Sequence, residues 1–271
     1  MTRVAPLVKA CHPEPTLAVT ALATALALST GRGAGSGLVA AAFLSGQLSV
    51  GWSNDWMDAA RDRAVARPDK PVARGDLMES SVRTAALLAL AACVPLSMLM
   101  GVAAGAAHLV AVASAWQYNA TLKATALSWA PYAVSFGLVP SIVVLGLPGH
   151  PLAPWWASLA GSLLGVGAHF ANVLPDLEDD AATGVRGLPH RLGRRGSTLA
   201  AGAALVLATV ALARDRLGVA AVAAAVGVFG AGLVRARRPG SRAAFLAVLA
   251  VASVDVGLLL LRGASLVRPG R

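Results

Sequence analysis

The chain has 271 residues, of which 56% are hydrophobic and only 13% charged, with a formal net charge of +10 at pH 7. Soluble domains carry about 25% charged residues, so this composition, with a mean hydropathy of +0.67, excludes an ordinary soluble protein and indicates a membrane protein. The basic residues are spread over the ends of hydrophobic segments, which favours anchoring to an anionic membrane surface over binding to nucleic acid.

Hydrophobic runs bounded by charge, proline or glycine predict membrane-spanning helices, each of which needs roughly 20 apolar residues. The first run follows a polar stretch without a small-residue cleavage pattern, so we expect it to be retained rather than removed as a signal peptide. The predicted fold is an all-α integral membrane bundle of nine transmembrane helices, forming a single domain over residues 1–271. In chain order the runs cover residues 15–31, 37–53, 84–104, 107–122, 127–147, 154–173, 198–213, 217–234 and 243–262.

Basic residues lie mainly in the connections that follow the even-numbered runs, whereas the opposite connections carry little beyond Arg32, Arg214 and Arg216. The positive-inside rule then places the N-terminus and both long polar loops, about 54–83 and 173–197, in the cytoplasm and the C-terminus outside. The basic residues of the cytoplasmic connections are Arg61, Arg63, Arg67, Lys70, Arg74, Arg83, Lys123, Arg186, Arg191, Arg194, Arg195, Arg235, Arg237, Arg238 and Arg242.

The first polar loop concentrates acidic residues directly after the second hydrophobic run. If that helix continues, Asp55, Asp58 and Asp62 stand within about 60° of one another around its axis, with Asn54 one turn before Asp58. Like charges at this spacing repel by a few tenths of a kcal/mol per pair unless a cation lies between them. Mg²⁺ prefers oxygen ligands and is usually held by one or two carboxylates plus substrate phosphates, so the pattern predicts a Mg²⁺-phosphate site.

The second polar loop repeats this arrangement after the sixth run. Asp176 and Asp180 are spaced i, i+4, Asp179 lies on the flank of their face, and Glu178 points away. One acidic loop alone is more often a solvated surface, but two that each follow a hydrophobic run favour a shared pyrophosphate held by metal ions. The basic residues predicted to neutralise the remaining diphosphate oxygens are Arg67, Lys70, Lys123, Arg186 and Arg191.

Together these residues resemble the UbiA superfamily of membrane prenyltransferases. The first motif of that family, NDxxDxxxD, is matched by Asn54, Asp55, Asp58 and Asp62, and the second, DxxxD, by Asp176 and Asp180. The stretch RPDKPVARG, residues 67–75, matches the basic segment after the first motif, and ATGVRGLPHRLG resembles the tail of the second. Two departures are the spacing of Tyr118 and Lys123, one residue longer than usual, and CHPEPT at the start of the first helix, where the family often has a basic residue.

The resemblance implies a Mg²⁺-dependent intramembrane prenyltransferase. Such an enzyme ionises an allylic isoprenyl diphosphate and transfers the prenyl group to a small lipophilic acceptor, aromatic or quinone-like. The residues implied to act in catalysis and as metal ligands are Asp55, Asp58, Asp62, Asp176 and Asp180, with Asn54 as a further ligand and Asn172, Asp179 and Tyr118 in support.

Other functions remain open at this stage. A membrane terpene cyclase of the same family needs no acceptor and shares the diphosphate site. A transporter requires ionisable residues near mid-membrane in several helices, and here only Asp255 qualifies clearly. His169, before the second motif, is a further candidate as a base on the acceptor side. Arg-rich, Lys-poor usage suggests a bacterial cytoplasmic membrane, with the active site facing the cytoplasm and membrane lipids as neighbours.

Overall fold

A computed structural model describes residues 4–149, 151–182, 184–236 and 241–267, and within these ranges the chain is helical. Two short 3₁₀ turns lie at Leu122–Ala124 and Gly263–Leu266. The α-helices are α1 (Val4–Ala10), α2 (Pro13–Ser29), α3 (Gly35–Ala64), α4 (Glu79–Leu99), α5 (Val102–Ala120), α6 (Ala130–Leu145), α7 (Trp155–Val173), α8 (Leu177–Ala182), α9 (Leu188–Leu212), α10 (Arg216–Arg235) and α11 (Ala243–Leu261).

The all-α prediction is confirmed, but the described part of the chain contains eleven α-helices rather than nine. Each predicted run lies mainly on one helix, and the two additional helices, α1 and α8, are too short or too polar for hydropathy to detect. Four helices, α4, α9, α10 and α11, are long and apolar enough by themselves to cross a membrane. Arg237 and Arg238, part of the predicted positive-inside pattern, lie outside the described residues.

The outer surface of the bundle is apolar, as expected of a protein whose surroundings are lipid. Large side chains such as Leu99, Val102 and Leu261 are at least 70% exposed, an arrangement that water would disfavour. The largest buried cluster, which includes Leu26, Phe43 and Ile142, lies at the end of the bundle remote from the acidic loops. This packed end leaves the opposite end of the same helices free to diverge around a cavity.

Helix α3 connects the two ends because it packs against α2, α4 and α5 and continues beyond the hydrophobic run as far as Ala64. The acidic residues of the first motif therefore lie on regular helix, as the sequence predicted. Gly51 allows the start of α2 to approach closely, since a Cβ atom there would lie 2.2 Å from the carbonyl oxygen of Cys11. Small residues permit such backbone contacts between membrane helices, and this contact places His12 beside the first motif.

Candidate active site

A cavity of about 380 Å³ opens at the end of the bundle that carries both acidic motifs. Helices α2, α3, α5, α6, α7, α8 and α9 contribute to its wall, together with the segments after α3 and α5. Its outer part is lined by acidic, basic and amide side chains. Its inner part is lined mainly by small and apolar side chains. One cavity therefore contains a charged outer region and an apolar inner region.

From the first motif, Asn54, Asp58 and Asp62 line this cavity. The Asn54 side chain is oriented by Asn119, whose Oδ1 accepts a hydrogen bond of 3.2 Å from Asn54 Nδ2. Asn119 is itself fixed, because its Nδ2 donates to the Val50 carbonyl oxygen at 2.9 Å and to Ser53 Oγ at 2.8 Å. This arrangement leaves the side-chain oxygen of Asn54, Oδ1, available to bind a cation. Sequence analysis did not identify Asn119.

The carboxylate of Asp58 is held between two cations, Lys123 and Arg61, both of which contact Oδ1. Lys123 is buried on a 3₁₀ turn that packs against the start of α9, where a Cβ on Gly187 would lie 2.5 Å from the Lys123 carbonyl oxygen. Burial, followed by the repulsion of Arg61, lowers the pKa of the Lys123 ammonium to about 7. A diphosphate in the cavity would favour the protonated form.

Asp55 differs from its neighbours and does not belong to the described lining of the cavity. Its Oδ1 accepts hydrogen bonds from Lys70 Nζ at 2.6 Å and from His12 Nε2 at 2.9 Å, and its side chain is only 1% exposed. The lining positions of α3 recur at 47, 51, 54, 58 and 62, and residue 55 lies on the edge of that stripe. In the described structure Asp55 therefore lies beside the cavity-facing stripe of the motif rather than within it.

The second motif reaches the cavity through Asp176, just before α8, and Asp180 within it. Arg67 Nη2 lies 3.4 Å from Asp176 Oδ1, which joins the two acidic loops across the cavity mouth. His190 Nε2 lies 3.5 Å from Asp180 Oδ2, and burial raises the pKa of the Asp180 carboxyl. Asp179 is exposed and does not line the cavity, whereas the predicted supporting residues Tyr118 and Asn172 do.

The set of basic residues at the cavity differs from the prediction. Arg67, Lys70 and Lys123 line it as expected, but Arg186 and Arg191 are exposed and absent from its described wall. The Nε of Arg191 instead donates to the carbonyl oxygen of Arg186 at 3.2 Å, which keeps both residues on the surface of the loop. Arg61 and His190 occupy the cavity in their place. The sequence pattern indicated a role for Arg61 only in membrane orientation and did not single out His190.

Aromatic side chains follow the charged region inward. Tyr118, Tyr132 and Phe136 line the cavity; the two tyrosine rings meet edge to face at 5.2 Å, and Tyr132 stacks on Phe136 at 6.4 Å. Asn172 Nδ2 donates to the Tyr132 hydroxyl at 3.5 Å. The cavity therefore presents aromatic surfaces immediately beyond its acidic rim.

No three acidic, histidine or cysteine side chains of the described chain already converge into a metal-binding group. Four acids of the motifs contact cationic or histidine side chains instead: Asp55 pairs with Lys70, Asp58 with Lys123, Asp176 with Arg67, and Asp180 approaches His190. The lining donors nevertheless are carboxylate and amide oxygens, the types that Mg²⁺ prefers. A bound ion would have to draw these oxygens together from their present partners.

Three further polar residues do not belong to the described lining of this cavity. His169 is fully buried, with its Nε2 3.0 Å from Ser128 Oγ, and does not line the cavity, which disfavours a role as an acceptor-side base. Asp255 is also buried and accepts a 2.6 Å hydrogen bond from Thr209. Glu14 is exposed near the start of α2. The hydrogen bond from Thr209 to Asp255 thus connects α9 with α11.

Solved structures that are similar to this chain have the same overall fold. The family model of the UbiA prenyltransferase family matches residues 15–260. The structure of a UbiA homolog from Archaeoglobus fulgidus bound to GPP and Mg²⁺ is 14% identical, with a TM-score of 0.68 over 97% of this chain and 99% of that one. A structure of digeranylgeranylglyceryl phosphate synthase is 15% identical, with a TM-score of 0.69 over 98% and 99%. No curated protein matches the sequence at a significant level.

Proposed function

This chain belongs to the UbiA prenyltransferase family, and we propose that it is a Mg²⁺-dependent intramembrane prenyltransferase. It ionises an allylic isoprenyl diphosphate and transfers the prenyl group to a small lipophilic acceptor, aromatic or quinone-like. The observation that carries this proposal is the cavity itself, in which two acidic motifs and four basic side chains border an aromatic and apolar pocket. A diphosphate with a hydrocarbon tail likewise has a charged end and an apolar end, which match these two parts of the cavity.

The solved relatives support this choice of donor. Structures of the Archaeoglobus fulgidus homolog contain GPP with Mg²⁺ and DMAPP with Mg²⁺, and the second of these is 13% identical with a TM-score of 0.68 over 96% of this chain. Both ligands are short allylic diphosphates. These structures share the fold found here.

Five lining residues would hold Mg²⁺ through oxygen atoms: Asn54, Asp58, Asp62, Asp176 and Asp180. Bound Mg²⁺ would supply Lewis-acid stabilisation of the charge that collects on the leaving diphosphate. Asp55 is assigned a different role, because its carboxylate already binds Lys70 and His12 outside the cavity lining. It positions Lys70 and the start of α2 beside the diphosphate.

Basic side chains stabilise the leaving group by exchanging a carboxylate partner for an oxygen of the diphosphate. Lys123 and Arg61 contact Asp58, and Arg67 contacts Asp176, so each cation lies next to a carboxylate that the metal site also uses. Diphosphate oxygens would offer these cations new anionic partners within the same cavity. Charge-assisted hydrogen bonds of this kind strengthen as the carbon–oxygen bond breaks and negative charge moves to the diphosphate.

The inner cavity controls what happens to the allylic cation. The ring faces of Tyr118, Tyr132 and Phe136 lie along the wall and offer negative electrostatic potential to a positive carbon. Apolar neighbours such as Val50 and Ala168 exclude water, which would otherwise capture the cation. Attack by an electron-rich atom of the acceptor forms the new bond, and the acceptor then loses a proton.

We place this site on the cytoplasmic side of a bacterial membrane. The positive-inside pattern supports this orientation, since the loops that border the cavity carry Arg61, Arg67, Lys70 and Lys123. The charged mouth of the cavity would then open to the cytoplasm, where it can receive a charged diphosphate donor. The membrane supplies the lipophilic acceptor from the side.

The test is pyrophosphate release by purified protein given geranyl, farnesyl or geranylgeranyl diphosphate, with and without Mg²⁺ and a panel of aromatic acceptors. Release that requires Mg²⁺ and an acceptor, with a prenylated product, is the expected result. Release without acceptor and with a cyclic hydrocarbon would instead identify a terpene cyclase. If no donor releases pyrophosphate under any condition, the proposed function is wrong. Asp58→Asn protein prepared in parallel controls for contaminating phosphatases.

A further inference from the structure

Gln47 lies at the inner end of the cavity, where its polarity is unexpected. On α3 it is the innermost residue of the cavity wall, seven residues before Asn54 and eleven before Asp58. The next residue along the same stripe, Phe43, is buried and stacks on His108 with ring centroids 4.4 Å apart. The wall of α3 therefore closes immediately beyond Gln47.

On the other helices the residues that line the cavity end at a similar depth. The innermost of these residues together form the floor of the cavity. The innermost lining residues of α2, α3, α5, α6 and α7 are Val19, Gln47, Ala115, Phe136 and Ala168. Four of these side chains are apolar, and Gln47 is the exception. Ser135 also lines this region, but its hydroxyl donates to the carbonyl oxygen of Ala111 at 2.9 Å.

The Gln47 amide has no hydrogen-bond partner within the described part of the chain, and its side chain is half-buried at the cavity surface. The other cavity amides differ, since Asn54 and Asn119 bond to each other and Asn172 bonds to Tyr132. Water in the cavity can satisfy the Gln47 amide only while no hydrocarbon covers it. A prenyl tail that extended across Gln47 would remove that water and provide no replacement.

The distance from the charged mouth to this floor corresponds to a short prenyl chain. At 1.5 Å per residue, Gln47 lies about 10 Å along α3 from Asn54 and about 16 Å from Asp58. An extended chain advances about 1.2 Å per backbone bond, so one isoprenoid unit of four such bonds spans about 5 Å. A diphosphate bound at Asp58 occupies the turn of α3 between Asp58 and Asn54, so a prenyl chain that begins level with Asn54 reaches Gln47 with two units and would have to cover it with a third.

We propose that Gln47 sets the length of the prenyl donor, because its unpaired amide forms a polar floor that accepts two isoprenoid units and penalises a third. This inference rests on the proposed function, since it assumes that the cavity binds an isoprenyl diphosphate. Specificity for donor length then depends on the polarity of the Gln47 amide rather than on the volume of the side chain. The polarity of one residue therefore distinguishes geranyl from longer donors.

The experiment measures binding, so that it needs no acceptor. Thiolodiphosphate analogues of geranyl, farnesyl and geranylgeranyl diphosphate are titrated calorimetrically into the full-length protein in detergent with Mg²⁺. Gln47→Met removes the amide at nearly constant length and volume, and Gln47→Leu serves as a second apolar variant if the first unfolds. The chain offers a matched control in Gln117→Met, because Gln117 is an exposed glutamine of α5 outside this cavity.

We expect the ratio of the farnesyl to the geranyl dissociation constant to fall by about tenfold in Gln47→Met and to stay at the native value in Gln117→Met. Partition of the analogues into detergent affects this ratio equally in every protein, because the same two analogues are compared each time. It therefore cancels when the variants are compared with the native protein. An unchanged ratio in both Gln47 variants, with the analogues still bound, would overturn the role of Gln47 alone. Failure of all three analogues to bind native protein would instead overturn the proposed function on which it rests.

Discussion

The ion pair between Asp55 and Lys70 allows a sharp test of the structure, because both side chains are buried beside the cavity. Lys70 Nζ lies 2.6 Å from Asp55 Oδ1, and the two side chains are 11% and 1% exposed. Lys70→Met would leave the carboxylate with His12 as its remaining partner and Oδ2 without any hydrogen bond. Removal of one partner from a buried pair costs about 3–5 kcal/mol, since the remaining charge stays desolvated.

The expected loss is measurable as a change in the thermal unfolding midpoint in detergent. For a chain of this size about 2–4 °C corresponds to each kcal/mol, so Lys70→Met should lower the midpoint by roughly 6–20 °C. Asp55→Asn in the same protein removes the uncompensated charge and should restore part of that loss. The two substitutions are therefore expected to be non-additive, as for residues in direct contact.

The matched control is Arg63→Met, which removes an ion pair with Glu79 at 2.8 Å whose side chains are 47% and 45% exposed. An exposed pair contributes about 0–1 kcal/mol, so this variant should unfold within a few degrees of the native protein. If Lys70→Met is no more destabilising than Arg63→Met, or if Asp55→Asn worsens rather than relieves it, the buried network described here is wrong.

Two further predictions concern the shape and the chemistry of the site. Gly51→Ala should destabilise the protein by about 1–3 kcal/mol, because the added Cβ would lie 2.2 Å from the Cys11 carbonyl oxygen; a thermal midpoint equal to that of the native protein would contradict this close approach. Asp58→Asn should lower Mg²⁺-dependent pyrophosphate release by at least about 100-fold while the protein remains folded, since it removes a charge that the metal site needs. Glu178→Gln, an exposed carboxylate paired with Arg194 at 3.4 Å, should leave that rate within a factor of about two. Equal rates for Asp58→Asn and native protein would refute the assignment of the first motif.

Hydropathy and motif spacing were sufficient to predict the class of this protein. The low charge content and the repeated hydrophobic runs predicted an all-helical membrane bundle, and the match of the family model over residues 15–260 confirms the family indicated by the two acidic motifs. These properties are readable because they are local. A run of 20 apolar residues and a spacing of three or four residues carry their meaning within a single helix.

The roles of individual residues depended on contacts that are not local. Asp55 and Asp58 are three residues apart and equally acidic, yet the first is enclosed by Lys70 and His12 while the second lines the cavity. No periodicity distinguishes them, because the neighbours that decide the matter come from α2 and from the loop after α3. For the same reason Arg61 enters the cavity and Arg186 does not.

The sequence by itself determined that the chain enters a membrane, forms helices and carries two acidic motifs, since hydrophobic transfer and helix geometry act on neighbouring residues. The tertiary structure alone decided which face of α3 is turned to the cavity, where that cavity ends, and that an unpaired amide lies on its floor. Those features arise from the packing of several helices around one cavity. The rotation and depth of each helix there are set by its partners rather than by its own sequence.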